Sequence, residues 1–210
     1  MSQRAGWFAW LIFMIGALYF ILPLFGTFVF SLQKVRGSLG FSAYEAAFAN
    51  PDFLQTFLFS SLIAALTIVT SLALIVPTAF WVNLRMPRWR GVVEFITLLP
   101  FVIPAIVLVF GIIRTFGKPV TVFGIPLLPS LLNTELSTNI VLIAAYTVLS
   151  LPYMYRATDN GLRAMDVRTL AEAAQSLGAN WVTVLMRVIL PNLRTALLSG
   201  ALLTFAIVIG

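Results

Sequence analysis

The sequence has no cysteine and no histidine, and only seven acidic residues among 210. Without thiols there are no disulfides and no thiol chemistry, and the usual zinc sites are excluded. Seven scattered carboxylates supply a metal-dependent hydrolase poorly. Charge is scarce altogether. Only 10% of residues are charged, against about 25% in a soluble domain. With 60% of residues hydrophobic, too few polar side chains exist to cover a water-facing surface. Lipid is the natural solvent for such a chain. The net charge of +6 does not point to nucleic acid, because the basic residues sit in short clusters between long apolar runs. That placement is the mark of membrane topology.

A bilayer core about 30 Å thick needs about 20 apolar residues in a helix. Five runs qualify or come close: Trp7–Leu32, a stretch within Phe53–Leu84, Phe95–Ile113, Leu136–Tyr155, and a last run from Thr195 that is still apolar at Gly210. Helices are the expected form, since lipid leaves no partner for an unpaired backbone group and the runs far exceed a barrel strand. The first run follows Arg4, as a signal peptide would, but it carries no charge before Lys34. That is too long for a cleaved signal, so a retained span is expected. The expected fold is therefore an all-α polytopic membrane protein with about five transmembrane helices in a single domain over 1–210.

Lysine and arginine set the orientation. Segments 1–6, 85–94 and 156–194 hold Arg4, Arg85, Arg88, Arg90, Arg156, Arg163, Arg168, Arg187 and Arg194. The alternate segments hold Lys34, Arg36, Arg114 and Lys118. The excess puts the N-terminus on the cytoplasmic side of the membrane. The loop 114–135, with Gly117, Pro119, Gly124, Pro126 and Pro129, is expected to be irregular, with room for a short re-entrant piece.

The segment 156–194 is long for a simple connection. Asp166 can cap a helix, and Thr169 with Glu172 has capping-box spacing. Leu170, Ala173, Ala174 and Leu177 recur at the helical period. Gly178 stands where a left-handed helix-ending residue is wanted. Asn180 can cap a second helix carrying Trp181, Val184, Leu185 and Val188, and Pro191 is expected to end or kink it. Helix, glycine turn, helix makes a compact lump on the inner face. The lump suits a partner's groove or, alternatively, the headgroup layer.

The same residues carry a resemblance. Glu172-Ala173-Ala174, three residues, Gly178, nine residues, then Val188-Ile189-Leu190-Pro191 is similar to the signature loop of binding-protein-dependent ABC importer permeases. Every anchor keeps its spacing. Val188 stands where isoleucine is usual. The resemblance implies a type I ABC importer-like fold and a coupling loop at about 156–194. Glu172, Ala173, Ala174 and Gly178 become the residues that dock an ATPase, with Asp166 and Arg168 beside them. It implies two ATPase subunits, a second permease that is homologous or identical, and an extracytoplasmic solute-binding protein. ATP and magnesium belong to the ATPase. This chain has no Walker loop, is not itself an enzyme, and is expected to hold no cofactor and no nucleic acid. Family members usually carry about six spans, so a sixth is expected past Gly210. Leu149–Arg163 and Val188–Phe205 resemble the polyamine permeases most, with iron, thiosulfate, molybdate and aminoalkylphosphonate permeases as alternatives.

No charge falls inside the five apolar runs. That disfavours an ATPase-independent secondary carrier or channel, which places ionisable groups at membrane depth. An intramembrane enzyme lacks its histidine. Ser60, Thr67, Ser71 and Thr78 share one helix face, as a polar pathway lining or as packing contacts. Tyr146, Ser150 and Tyr153 share another, as pathway lining or interface anchors. Pro100 and Pro104 can break the third span, and Ala196 with Gly200 makes a small-residue packing pair.

Overall fold

The computed structural model describes residues 6–35, 38–122, 125–128 and 130–209. Arg4, Arg36, Gly124, Pro129 and Gly210 lie outside the described residues. The chain divides into two units, Met1–Leu58 and Phe59–Gly210.

The first unit opens with helix α1, Trp7–Ser31, with no buried residue along its length. A short antiparallel hairpin follows, β1 (Gln33–Val35) with β2 (Ser38–Leu39), and then a helix the sequence did not announce, α2 (Ser42–Ala49). The Ser31 and Tyr44 hydroxyls lie 2.7 Å apart and tie α1 to α2. Helix α3 (Pro51–Arg85) begins here. Asn50 caps it by accepting from the Asp52 amide at 2.9 Å, and proline stands at its first position.

In the second unit α3 runs on to Arg85, and a tight turn over Pro87–Trp89 leads into α4 (Arg90–Val102). The expected third span is not one helix. Ile103 and Pro104 are extended, α5 (Ala105–Phe116) starts afresh, and the two axes differ by 95°. Pro104 has no amide hydrogen and pushes Ile103 out of the helical region, so the break lies at that pair. Pro100 stays within α4.

The loop expected to be irregular holds a second hairpin, β3 (Val120–Val122) with β4 (Ile125–Leu128), where β-branched residues suit extended pairing. Helix α6 (Glu135–Ala164) is capped by Thr134 and runs on well past Tyr155. Helix α7 (Val167–Ser176) follows, then α8 over Trp181–Ile209.

Two of the expected boundaries therefore move. The loop 156–194 begins and ends in helix, and only a short connection separates α6 from α7. Pro191 does not end α8. The helix widens to a π-helical turn over Val184–Ile189 just before it, and the Leu190 amide reaches back to the Leu185 carbonyl. Asn192 Nδ2 donates to the Val188 carbonyl at 2.7 Å. The wider turn accommodates the ring and the missing donor.

Helices α6 and α8 pack through small residues. A Cβ added at Gly161 would lie 2.7 Å from both the Ala196 Cβ and the Leu193 Cδ2. One added at Gly200 would meet the Met154 sulfur at 2.9 Å. Ala196 and Gly200 are thus helix-packing residues, with Ala157 and Gly161 as their counterparts on α6. The core around this contact includes Phe80, Met154, Tyr155, Ile189 and Leu193.

Candidate functional site

The loop end of the second unit is built around α7 and its turn. Asp166 caps α7, accepting from the Thr169 amide at 3.2 Å and from the Thr169 hydroxyl at 2.6 Å. These hydrogen bonds hold the Asp166 carboxyl below its usual range, the side-chain bond contributing most. Thr169 is the cap's partner rather than a cap, so the Thr169–Glu172 capping box does not form. Glu172 instead accepts from the Arg168 Nε at 3.0 Å, one turn back on the same exposed face.

Helix α7 ends as its glycine requires. Gly178 has φ +85°, a conformation that disfavours any residue with a Cβ. The Gly178 amide bonds the Gln175 carbonyl at 2.8 Å, and the Ala179 amide bonds the Ala174 carbonyl at 3.0 Å. This pairing is the Schellman turn. Asn180 then caps α8, accepting from the Thr183 amide at 2.8 Å.

The face that α7 buries differs from the expected one. Val167 and Ala171 are buried, with Leu170 and Ala174 half-buried beside them. Glu172, Ala173 and Gly178 point out, and Leu177 is 89% exposed at the tip. Spacing alone did not separate the sides, because alanines occupy both. Trp181, Val184, Leu185 and Val188 pack inward as expected. Val182 and Met186 are exposed on the opposite side. The helix pair therefore presents an outward ridge of Glu172, Ala173, Leu177 and the glycine turn, whereas Ala174, the remaining alanine of the motif, packs against the core.

Aromatic and charged contacts tie this ridge to α3. The Trp81 and Trp181 rings lie 5.3 Å apart, and the Arg85 guanidinium stands 5.0 Å from the centre of the Trp181 ring. A cavity of about 240 Å³ opens between the end of α3 and α7, with Arg85, Arg168, Glu172, Gln175 and Trp181 on its walls.

Sequence reasoning missed one cluster. Asp159 is only 4% exposed. Its Oδ2 accepts from Arg90 at 2.7 Å and from Arg163 at 2.9 Å, and its Oδ1 accepts from Asn83 Nδ2 at 3.0 Å. Arg156 closes the fourth apolar run, which on sequence grounds leaves Asp159 in the loop that follows. The signal available was the Asp159–Arg163 spacing of one helical turn.

The candidate pathway residues divide. Thr67, Ser71 and Ser150 are buried, and the Ser71 and Ser150 hydroxyls meet at 2.6 Å, joining α3 to α6. Ser60 is half-buried, and Thr78 is exposed with its hydroxyl bonded to the Leu74 carbonyl. The structure thus brings only part of that stripe together. Tyr153 is half-buried, packed edge-on against Phe101 with centroids 5.1 Å apart. Tyr146 is on the wall of an apolar cavity of about 540 Å³ shared with Leu108, Ile113, Leu142, Leu149 and Ile207.

Residues 73–210 match the family described as the binding-protein-dependent transport system inner membrane component. The chain belongs to this family. Its relatives are named for transport across membranes. It is 32% identical over 196 residues to the spermidine/putrescine transport system permease protein PotC of Haemophilus influenzae, covering 90% of this chain and 70% of that protein. It is 30% identical over 197 residues to a probable molybdenum ABC transporter permease of Haloferax volcanii, covering 92% of this chain and 66% of that protein. It is 28% identical to PotB of H. influenzae over 73% of this chain and 54% of that protein. The chain thus spans between about half and two thirds of the length of several relatives that it matches. Family membership and the apolar helices make it a multi-pass inner-membrane permease component with a type I ABC importer fold.

Proposed function

We propose that this chain is the membrane-spanning permease subunit of an ATP-driven importer. In this reading it moves a small solute delivered by an extracytoplasmic binding protein and hydrolyses no ATP itself. The observation that carries the reading is the outward ridge of α7. Glu172, Ala173, Leu177 and Gly178 face away from the bundle, while Val167 and Ala171 anchor the same helix to it. A helix pinned on one side and bare on the other suits a partner's groove. Two ATPase subunits, each with bound ATP and magnesium, and a second permease complete the assembly. The arginine-rich segments support a cytoplasmic position for this ridge and for the N-terminus.

A polyamine is the proposed class of cargo, supported by the likeness to PotB and PotC. The likeness to a molybdenum permease favours an oxyanion as the second reading. The two classes carry opposite charge.

The experiment is a mild-detergent purification of the tagged protein from its native host, with partners identified by mass spectrometry. Recovery of an ATPase and a second permease supports the importer. The ligand held by the cognate binding protein, cation or oxyanion, then decides the cargo. Recovery of the chain alone from transport-active membranes overturns the reading in favour of a self-sufficient carrier or channel.

A further inference from the structure

We propose that Asp159 is a positioning residue that clasps the α3–α4 elbow to α6, carrying displacement of α7 to the break at Ile103–Pro104. The inference rests on the reading of α7 as the docking element.

The connectivity is specific. Asp159 stands on α6 just before that helix hands over to α7, whose cap is Asp166. Its donors come from three places. Asn83 lies in the last turn of α3, Arg90 is the first residue of α4, and Arg163 lies one turn on along α6. Between Asn83 and Arg90 the chain turns through Pro87–Trp89. One carboxylate therefore grips both arms of that turn. The arm it holds on the far side, α4, leads straight to the 95° bend. Movement at α7 has a continuous path through α6, Asp159 and Arg90 into the broken helix.

The chemistry argues for more than stability. A buried ion pair is often no more stabilising than well-packed apolar groups of the same size. What it supplies, in the best-attested cases, is register. A carboxylate with both oxygens engaged accepts its donors in one arrangement only, whereas apolar side chains slide. Asn83 and Arg163 border the same cleft as Asp166 and Arg168, so the substitutions are made at Asp159 and Arg90, which are buried or mostly buried and not on the exposed ridge.

The test uses the complete transporter, co-purified with its ATPase and reconstituted into vesicles with the cognate binding protein. Asp159→Asn, Arg90→Gln, Arg90→Lys and the double variant Asp159→Asn/Arg90→Gln are compared with the unchanged protein. The readout is solute moved per ATP hydrolysed. A residue that merely holds the fold changes the yield of complex and lowers transport and hydrolysis together, leaving this ratio unaltered. The expected result is a ratio about tenfold lower in Asp159→Asn and Arg90→Gln, a size typical of coupling between sites. The double variant should be no worse than either single one. Arg90→Lys should recover part of the ratio, since it restores the charge without the fork geometry. An unchanged ratio in complexes that still contain the ATPase overturns the clasp and leaves the docking reading standing. Failure of the unchanged protein to bind any ATPase overturns both.

Discussion

The two ends of the second unit are held together differently. At the loop end α6 and α8 touch through Gly161, Ala196 and Gly200, and directional polar groups surround the contact: the Asp159 clasp, the Asn180 cap and the Gly178 turn. At the other end of α6, Tyr146 and Leu142 line an apolar cavity of about 540 Å³ shared with α5. The difference is one of packing: Tyr146 and Leu142 also pack on buried Ile63, Ala64 and Val208, but with a cavity beside them. Interpenetrating backbones and aimed hydrogen bonds allow one arrangement. An apolar wall beside a cavity allows several, because dispersion contacts have no direction. The end closed by backbone contact is the one that carries the outward ridge.

The largest effect that would break this contrast is expected at Gly161. Gly161→Leu forces a side chain into atoms already 2.7 Å from a bare Cβ. Overpacking of this kind costs about 3 kcal/mol. The purified subunit should melt well below the parent in a detergent thermal scan. Unchanged melting would mean that α6 and α8 are not locked together.

An intermediate effect is expected at Gly178. No atom lies within 4 Å of an added Cβ, so Gly178→Val meets no clash within the chain. The cost is backbone strain at φ +85°, about 1–2 kcal/mol for a residue with a Cβ. Transport should fall while membrane insertion stays normal. Transport at the parent level would remove the turn from the docking role.

The smallest effect sharpens the comparison, because it repeats the first experiment at the loose end. Ala145 is on the wall of the apolar cavity, and Ala145→Leu directs new carbon into open space. Its melting temperature should match the parent, with a stability change within about 0.5 kcal/mol. A loss as large as that of Gly161→Leu would show that both ends are equally close-packed.

Much of the site is legible from local chemistry. Asp166, Gly178 and Asn180 perform the capping and turning roles that their types and spacing imply, because caps and left-handed turns are settled within a few residues. The Ala196–Gly200 pair packs as its spacing implies. Helix ends are less legible. Arg156 closes an apolar run and Pro191 is expected to end or kink a helix, yet α6 runs to Ala164 and α8 continues through the proline after a π-helical turn. A charge ends an apolar run without ending a helix, and a π-helical turn lets a helix continue past a proline.

Composition and hydropathy by themselves determined that this chain crosses a membrane as helices, since lipid offers the backbone no other partner. The spaced anchors from Glu172 to Pro191 determined its family resemblance. Only the tertiary structure decided which side of α7 is bare, that the third span is broken at Pro104, and that Asp159 is buried against Arg90 from a distant helix. The physical reason is range. Capping and periodicity act over a few residues of one helix. Burial and ion pairing are decided by whichever distant segment the packing brings alongside.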